Sequence, residues 1–150
     1  MQKSVNILNR KAKFEYEILD KYTAGIVLAG SEIKSIRQGR ASIAESFCEF
    51  QGHELFAINT NIEEYAFSRN FSHAPKSERK LLLNKRELKS LQKSVQSKGL
   101  TIVPLRLFTN DRGLAKLEIG LARGKKNYDK RETIKDRDVK RSLDRIKKSF

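Results

Sequence analysis

The chain has no tryptophan, one methionine, two prolines, two histidines and one cysteine in 150 residues. A single thiol, Cys48, excludes an intramolecular disulfide and a thiolate metal cluster. It stands between Phe47 and Phe50, where a small buried hydrophobe fits. His53 and His73 have no metal-ligand partner at useful spacing, so no metal and no cofactor is expected. No apolar run approaches membrane-spanning length and the first sixteen residues carry no apolar h-region, which points to a cytoplasmic protein with no membrane partner. There is no internal repeat. Nucleophile–histidine pairs, paired acids and phosphate loops are likewise missing from the pattern, so no catalytic residue is assigned and the chain reads as a non-enzyme.

Negative charge is also scarce. Against 18 Asp and Glu stand 32 Lys and Arg, a formal net charge of +14. Residues 123–150 hold a net +7 and residues 1–122 the other +7, so the body is basic as well as the tail. A polyanion is the natural large partner, with nucleic acid ahead of an anionic membrane.

Gly120 to Arg131 divides the chain. Arg123, Lys125, Lys126, Lys130 and Arg131 fall within nine positions, with Tyr128 among them. Cations with an interleaved ring suit phosphates plus a stackable base; a solvated basic linker is the plainer alternative. Before this stretch, one domain is expected over 1–122, opening with an N-terminal arm over 1–12. Phe14, Tyr16 and Ile18 alternate as in a half-buried strand, and Gly25 marks a bulge or bend. Gly30 to Gly39 reads as a short helix capped by Ser31. Ser46–Phe50 and Leu55–Ile62 make a hairpin. Glu63 to Ser77 is a loop pinned by Tyr65, Phe67 and Phe71. Some of Leu81, Leu82 and Leu83 must pack inward. Asn84, Glu87 and Gly99 bracket a second helix with Leu88, Leu91 and Val95 on one face. A strand over Leu100–Phe108, with an edge or bulge at Pro104, turns at Asn110–Gly113 into a return strand ending at Leu121. The fold expected is mainly β with helices, an oligonucleotide-binding (OB) type closed antiparallel barrel. A half-open α+β sheet is the alternative.

After Asn127 the apolar side chains are few. Val139, Leu143, Ile146 and Phe150 line one narrow helical stripe. Such a helix is marginal alone, so the tail, 123–150, is expected to be disordered when free and helical against a partner. The barrel, a membrane surface and an RNA groove are the three docking sites; with no Trp and one Phe, the membrane is the weakest.

Five segments carry a resemblance: Leu8–Ala12, Tyr22–Ile26, Gly30–Arg37, Arg79–Leu83 and Gly120–Arg131. In this order, and followed by Ile134-Lys135-Asp136-Arg137-Asp138, they make the chain similar to the small protein B family, the bacterial SsrA-binding proteins. The resemblance implies an OB barrel that grips the tRNA-like domain of transfer-messenger RNA. It also implies delivery, with the elongation factor that carries aminoacylated RNA, to the A site of a stalled 70S ribosome. That process is trans-translation: the tail fills the empty mRNA channel as a helix next to the decoding centre. By position, Asn9, Leu82 and Lys116 resemble RNA contacts, and Arg123, Lys125 and Lys126 resemble the family's basic cluster. Arg10, Lys11, Lys34, Arg37, Arg79 and Lys80 lie in the same segments and complete the RNA-binding set. Asp129, Lys130 and Arg131 resemble the motif for A-site acceptance, and Tyr128 stands where a ring stacks on a decoding-centre base. Thr23 departs from the pattern, since many members carry Glu there. Glu32 fits a base reader or a favourable charge at its own helix start. A general single-strand or ribosomal RNA-binding module, and an RNA-modifying enzyme or nuclease, are the competing readings.

Overall fold

A computed structural model describes residues 4–65 and 73–125. Phe67, Phe71, Lys126, Tyr128, Asp129, Lys130, Arg131 and the stripe Val139, Leu143, Ile146 and Phe150 lie outside the described residues.

The described chain is mainly antiparallel β with three helices. The order is β1 (Asn6–Leu8), α1 (Arg10–Glu15), β2 (Tyr16–Ile26), α2 (Gly30–Arg37), β3 (Ala41–Ser42) and β4 (Phe47–Gln51). Then come β5 (Glu54–Ile58), β6 (Asn61–Ile62), β7 (Arg79–Leu82), α3 (Lys85–Lys98), β8 (Thr101–Thr109) and β9 (Ala115–Gly124). Seven strands form one sheet in the order β1-β8-β4-β5-β7-β2-β9, with β8 also pairing β9; β3 and β6 form a small separate ladder.

Two elements replace the expected arm. Asn6, Ile7 and Leu8 pair with Phe108, Leu107 and Arg106, and the next residues coil into α1, which takes in Phe14. Val5 is buried and Ile7 packs on the core, which is why this stretch docks. Strand β2 therefore starts at Tyr16, not Phe14. Its register shift falls between Ile18 and Asp20, while Gly25 stays in register with Leu82 on one side and Lys116 on the other. The register shows no bulge at Gly25.

Helix α2 is capped differently from the expectation. Ala29 is its N-cap, and the Ala29 N–H donates to Glu32 Oε1 at 2.9 Å; Ser31 Oγ instead meets His73 Nδ1 at 2.9 Å. Helix α3 follows its sequence signals. Glu87 N–H donates to Asn84 Oδ1 at 2.8 Å, and Gly99 ends the helix at φ 63°, where a Cβ is unfavourable. The hairpin of β4 and β5 forms, but its second arm stops at Ile58. At the far end, Pro104 sits at a register shift between β8 and β9, as a residue without an N–H requires.

The core gathers the inward residues of every long strand, among them Leu55, Leu81, Leu107, Leu117 and Ile119, with Leu91 of α3. A second cluster lies on the outer face, where Ala12 of α1 covers Val103, Leu105 and Ala122. Gly120 permits that cover, since a Cβ there would come within 3.1 Å of both Ile18 and Leu105. Helix α1 thus covers one end of the outer face of β8 and β9.

Candidate nucleic-acid interface

Strand β2 lies between β7 and β9, and its register gathers the first group of candidate residues. Gly25 pairs with Leu82 across one side and with Lys116 across the other. Directly opposed residues project from the same face, so Leu82 and Lys116 flank a position without a side chain. Leu82 is 52% exposed while its neighbour Leu81 is 1% exposed: the leucine run splits between surface and core. Thr23, two residues from Gly25, is exposed on the same face and opposes Glu118.

A cleft of about 390 Å³ opens here. Leu28, Ile33, Arg37, Leu82, Leu114 and Lys116 are among the residues that line it. Arg37 Nη2 donates to the Gly113 carbonyl of the β8–β9 turn at 3.3 Å, and Arg37 Nε is buried without a partner among the described residues. A mainly apolar lining that includes two cations suits a ligand with flat apolar faces and anionic groups. Leu28, Ile33, Gly113 and Leu114 escaped sequence reasoning, because no local signal tells a cleft wall from ordinary core. Lys34 and Arg37 share a helix but point to different neighbours. Lys34 Nζ lies 5.4 Å from the Tyr65 ring centroid, away from the Arg37 contact.

A second group sits along α1 and the end of β9. Arg10 is exposed. Lys11 Nζ meets Glu45 Oε1 at 2.6 Å, with both side chains largely in solvent. This contact holds the Lys11 ammonium above, and the Glu45 carboxyl below, its ordinary range, each chiefly through the hydrogen bond and then through charge. Arg123 Nη2 lies 3.5 Å from Glu17 Oε2, and the Lys125 N–H donates to the Glu15 carbonyl at 2.9 Å. Arg123 is therefore tied to the start of β2, and the Lys125 backbone to the end of α1. Lys80 is exposed and meets Glu54 Oε2 at 3.0 Å.

Two candidates are not surface groups. Asn9 is 8% exposed; its Nδ2 donates to the Pro104 carbonyl and its N–H to that of Leu105. It clamps the β8 irregularity, and Oδ1 is buried as well. Arg79 is 2% exposed and forms a buried ion pair with Glu32. Its remaining donors go to the carbonyls of Thr60, Ser77, Ala74 and Pro75. A guanidinium carries five N–H groups, and here each has an acceptor, which leaves none for phosphate. Glu32 is accordingly a helix cap and counterion, and its carboxylate does not face solvent. Cys48 is buried, and burial pushes its thiol up.

Among the described residues no cluster of His, Cys, Asp and Glu is arranged to hold a metal, and no helix is long and apolar enough to cross a membrane. A family model described as "SmpB protein" matches residues 6–149.

The chain belongs to the SmpB family.

It is 73% identical over 150 residues to an SsrA-binding protein of Flavobacterium psychrophilum, covering all of both chains. It is 52% identical over 145 residues to one of Bacteroides thetaiotaomicron, covering 97% of each. A solved structure described as "tmRNA-SmpB: a journey to the center of the bacterial ribosome" superposes with a TM-score of 0.68. That chain is 43% identical, and the match covers 86% of this chain and 94% of that one. The SmpB fold and this chain thus share their arrangement over most of their length.

Proposed function

We propose that this protein is a non-catalytic RNA-binding adaptor of trans-translation that holds the tRNA-like domain of transfer-messenger RNA. The observation that carries the reading is the β7–β2–β9 register, which places Leu82 and Lys116 around Gly25 at a cleft that Arg37 also lines. Membership of a family whose relatives are called SsrA-binding proteins supports the choice of RNA. The ribosomal setting of the superposed structure supports the ribosome as second partner.

The fold is read as a closed OB-type barrel. Its support is the pairing path β8–β4–β5–β7–β2–β9, which returns to β8. In this reading Lys116, Arg37, Lys80 and Arg123 hold phosphates, Leu82 takes an apolar face of a nucleotide, and Thr23 accepts or donates at the rim. Asn9 and Arg79 act as positioning residues: one fixes β8, the other fixes α2 against β7. Arg10, Lys11, Lys34, Lys125 and Lys126 add to the field that draws RNA in. Tyr128, Asp129, Lys130 and Arg131 engage the decoding centre of a stalled ribosome. The stripe of Val139, Leu143, Ile146 and Phe150 folds in the empty mRNA channel, in the cytoplasm.

The test is competition of transfer-messenger RNA against bulk tRNA at moderate salt, with the wild type and with Arg123, Lys125 and Lys126 neutralised. Wild type should prefer transfer-messenger RNA. The triple variant should bind more weakly with a shallower salt dependence, by up to about one slope unit for each phosphate it no longer neutralises. Equal affinity for both RNAs would reduce the protein to a general RNA-binding module.

A further inference from the structure

We propose that Arg106 and Phe108 form a stacking platform for one unpaired base of the bound RNA, beside Lys116. The inference rests on the RNA-binding reading above and extends its footprint across β8 to β1.

Two cross-strand rows carry it. Phe108 opposes Lys116 on β9 and Asn6 on β1, and Arg106 opposes Glu118 and Leu8. Because opposed residues share a face, these side chains continue outward from Lys116 on the same surface. Helix α1 covers the other end of β8 and β9 through Val103, Leu105 and Ala122. At this end of the face Leu8 is 53% exposed, the Arg106 side chain 37%, and Phe108 is half-buried.

Arg106 is held, not free. Its Cζ lies 4.0 Å from the Phe108 ring centroid. Nε donates to Glu118 Oε2 at 3.1 Å and Nη1 to Asn6 Oδ1 at 3.5 Å. One face of the guanidinium thus rests on a ring and its edge is tied, so little side-chain entropy remains to be lost when a ligand lands on it. Guanidinium planes are weakly hydrated and stack on flat π systems, and bases of unpaired RNA stack on them. Glu118 offsets the Arg106 charge locally. The platform therefore offers a plane, while Lys116 next to it offers a full positive charge. That division matches the base and phosphate of a single nucleotide.

The experiment uses the full chain and measures binding to transfer-messenger RNA and to a blunt RNA duplex across a salt series. Arg106→Lys keeps the charge and loses the plane; Phe108→Leu keeps the apolar bulk and loses the ring. Each should weaken transfer-messenger RNA binding about tenfold, as removal of one stacked base does. The salt slope and duplex binding should stay as in the wild type. Lys116→Ala should instead lower the slope by about one unit. Phe108→Trp supplies a readout independent of those variants' folding, because the chain has no other tryptophan. Its emission should be quenched by transfer-messenger RNA and not by the duplex. Unquenched emission at saturation, or wild-type affinity of Arg106→Lys and Phe108→Leu beside a weakened Lys116→Ala, overturns the platform and leaves the RNA-binding reading standing. If Lys116→Ala is silent as well, the whole face is not the RNA interface.

Discussion

At the scale of single residues, Arg79 has the most to lose. Each of its five N–H groups meets an acceptor, and Glu32 faces it from α2 in a buried pair. Removing one partner of such a pair strands the other charge, which costs roughly 3–5 kcal/mol. Arg79→Ala should therefore lower the unfolding free energy obtained from urea titration by that order, and its RNA-binding defect should follow the unfolded fraction. A variant that stays fully folded yet binds RNA poorly would return Arg79 to the interface. The exposed Lys11–Glu45 pair behaves oppositely. The depressed Glu45 carboxyl adds stability above its unfolded range near pH 4, lost as pH falls through its folded value. The raised Lys11 ammonium adds stability below about pH 10, lost as pH rises through its own. NMR titration should place the Glu45 carboxyl below the usual glutamate range and return it there in Lys11→Met. Both side chains are exposed, so the melting temperature should hardly move.

At the scale of elements, β2 is the organiser, and Gly25 is its test position. A Cβ there would come 3.3 Å from Leu82 Cβ, in the space between Leu82 and Lys116. Gly25→Ala should change stability by about 1 kcal/mol or less, since Leu82 is at the surface and can give. It should weaken transfer-messenger RNA binding several-fold; unchanged binding in anisotropy titrations would argue that nothing enters that gap. Elements announced by local chemistry were legible in the linear chain. Helix α3 was, because Asn84, Glu87 and Gly99 satisfy its ends from within. The irregularity at Pro104 was too, because proline lacks a donor. Strand β1 was not: three residues have no usable period, and their partner Phe108 lies about a hundred positions away. Nor was the bulge at Ile18–Asp20, where no glycine or proline marks the extra residue.

At the scale of the whole molecule, charge and shape divide the labour. The net +14 is shared equally between residues 1–122 and 123–150, so the folded body alone should hold RNA. Truncation after Arg131 should leave transfer-messenger RNA affinity within a few-fold and abolish tagging of stalled chains in a reconstituted translation system. Tagging that survives the truncation would remove the tail from its assigned role in the channel.

Net charge, motif order and alternation belong to the linear chain, and from them followed the polyanionic partner, the family and the mainly β architecture. Folding settled which basic and polar residues are available to that partner. Arg79 and Asn9 looked like contacts beside Lys80 and Arg10, yet they are buried. Arg106 and Phe108 drew no notice, yet they adjoin Lys116. The physical reason is that a cation's role depends on the acceptors around it, and the tertiary fold decides which acceptors those are: Arg79 meets Glu32 of α2 as well as the carbonyls just before it.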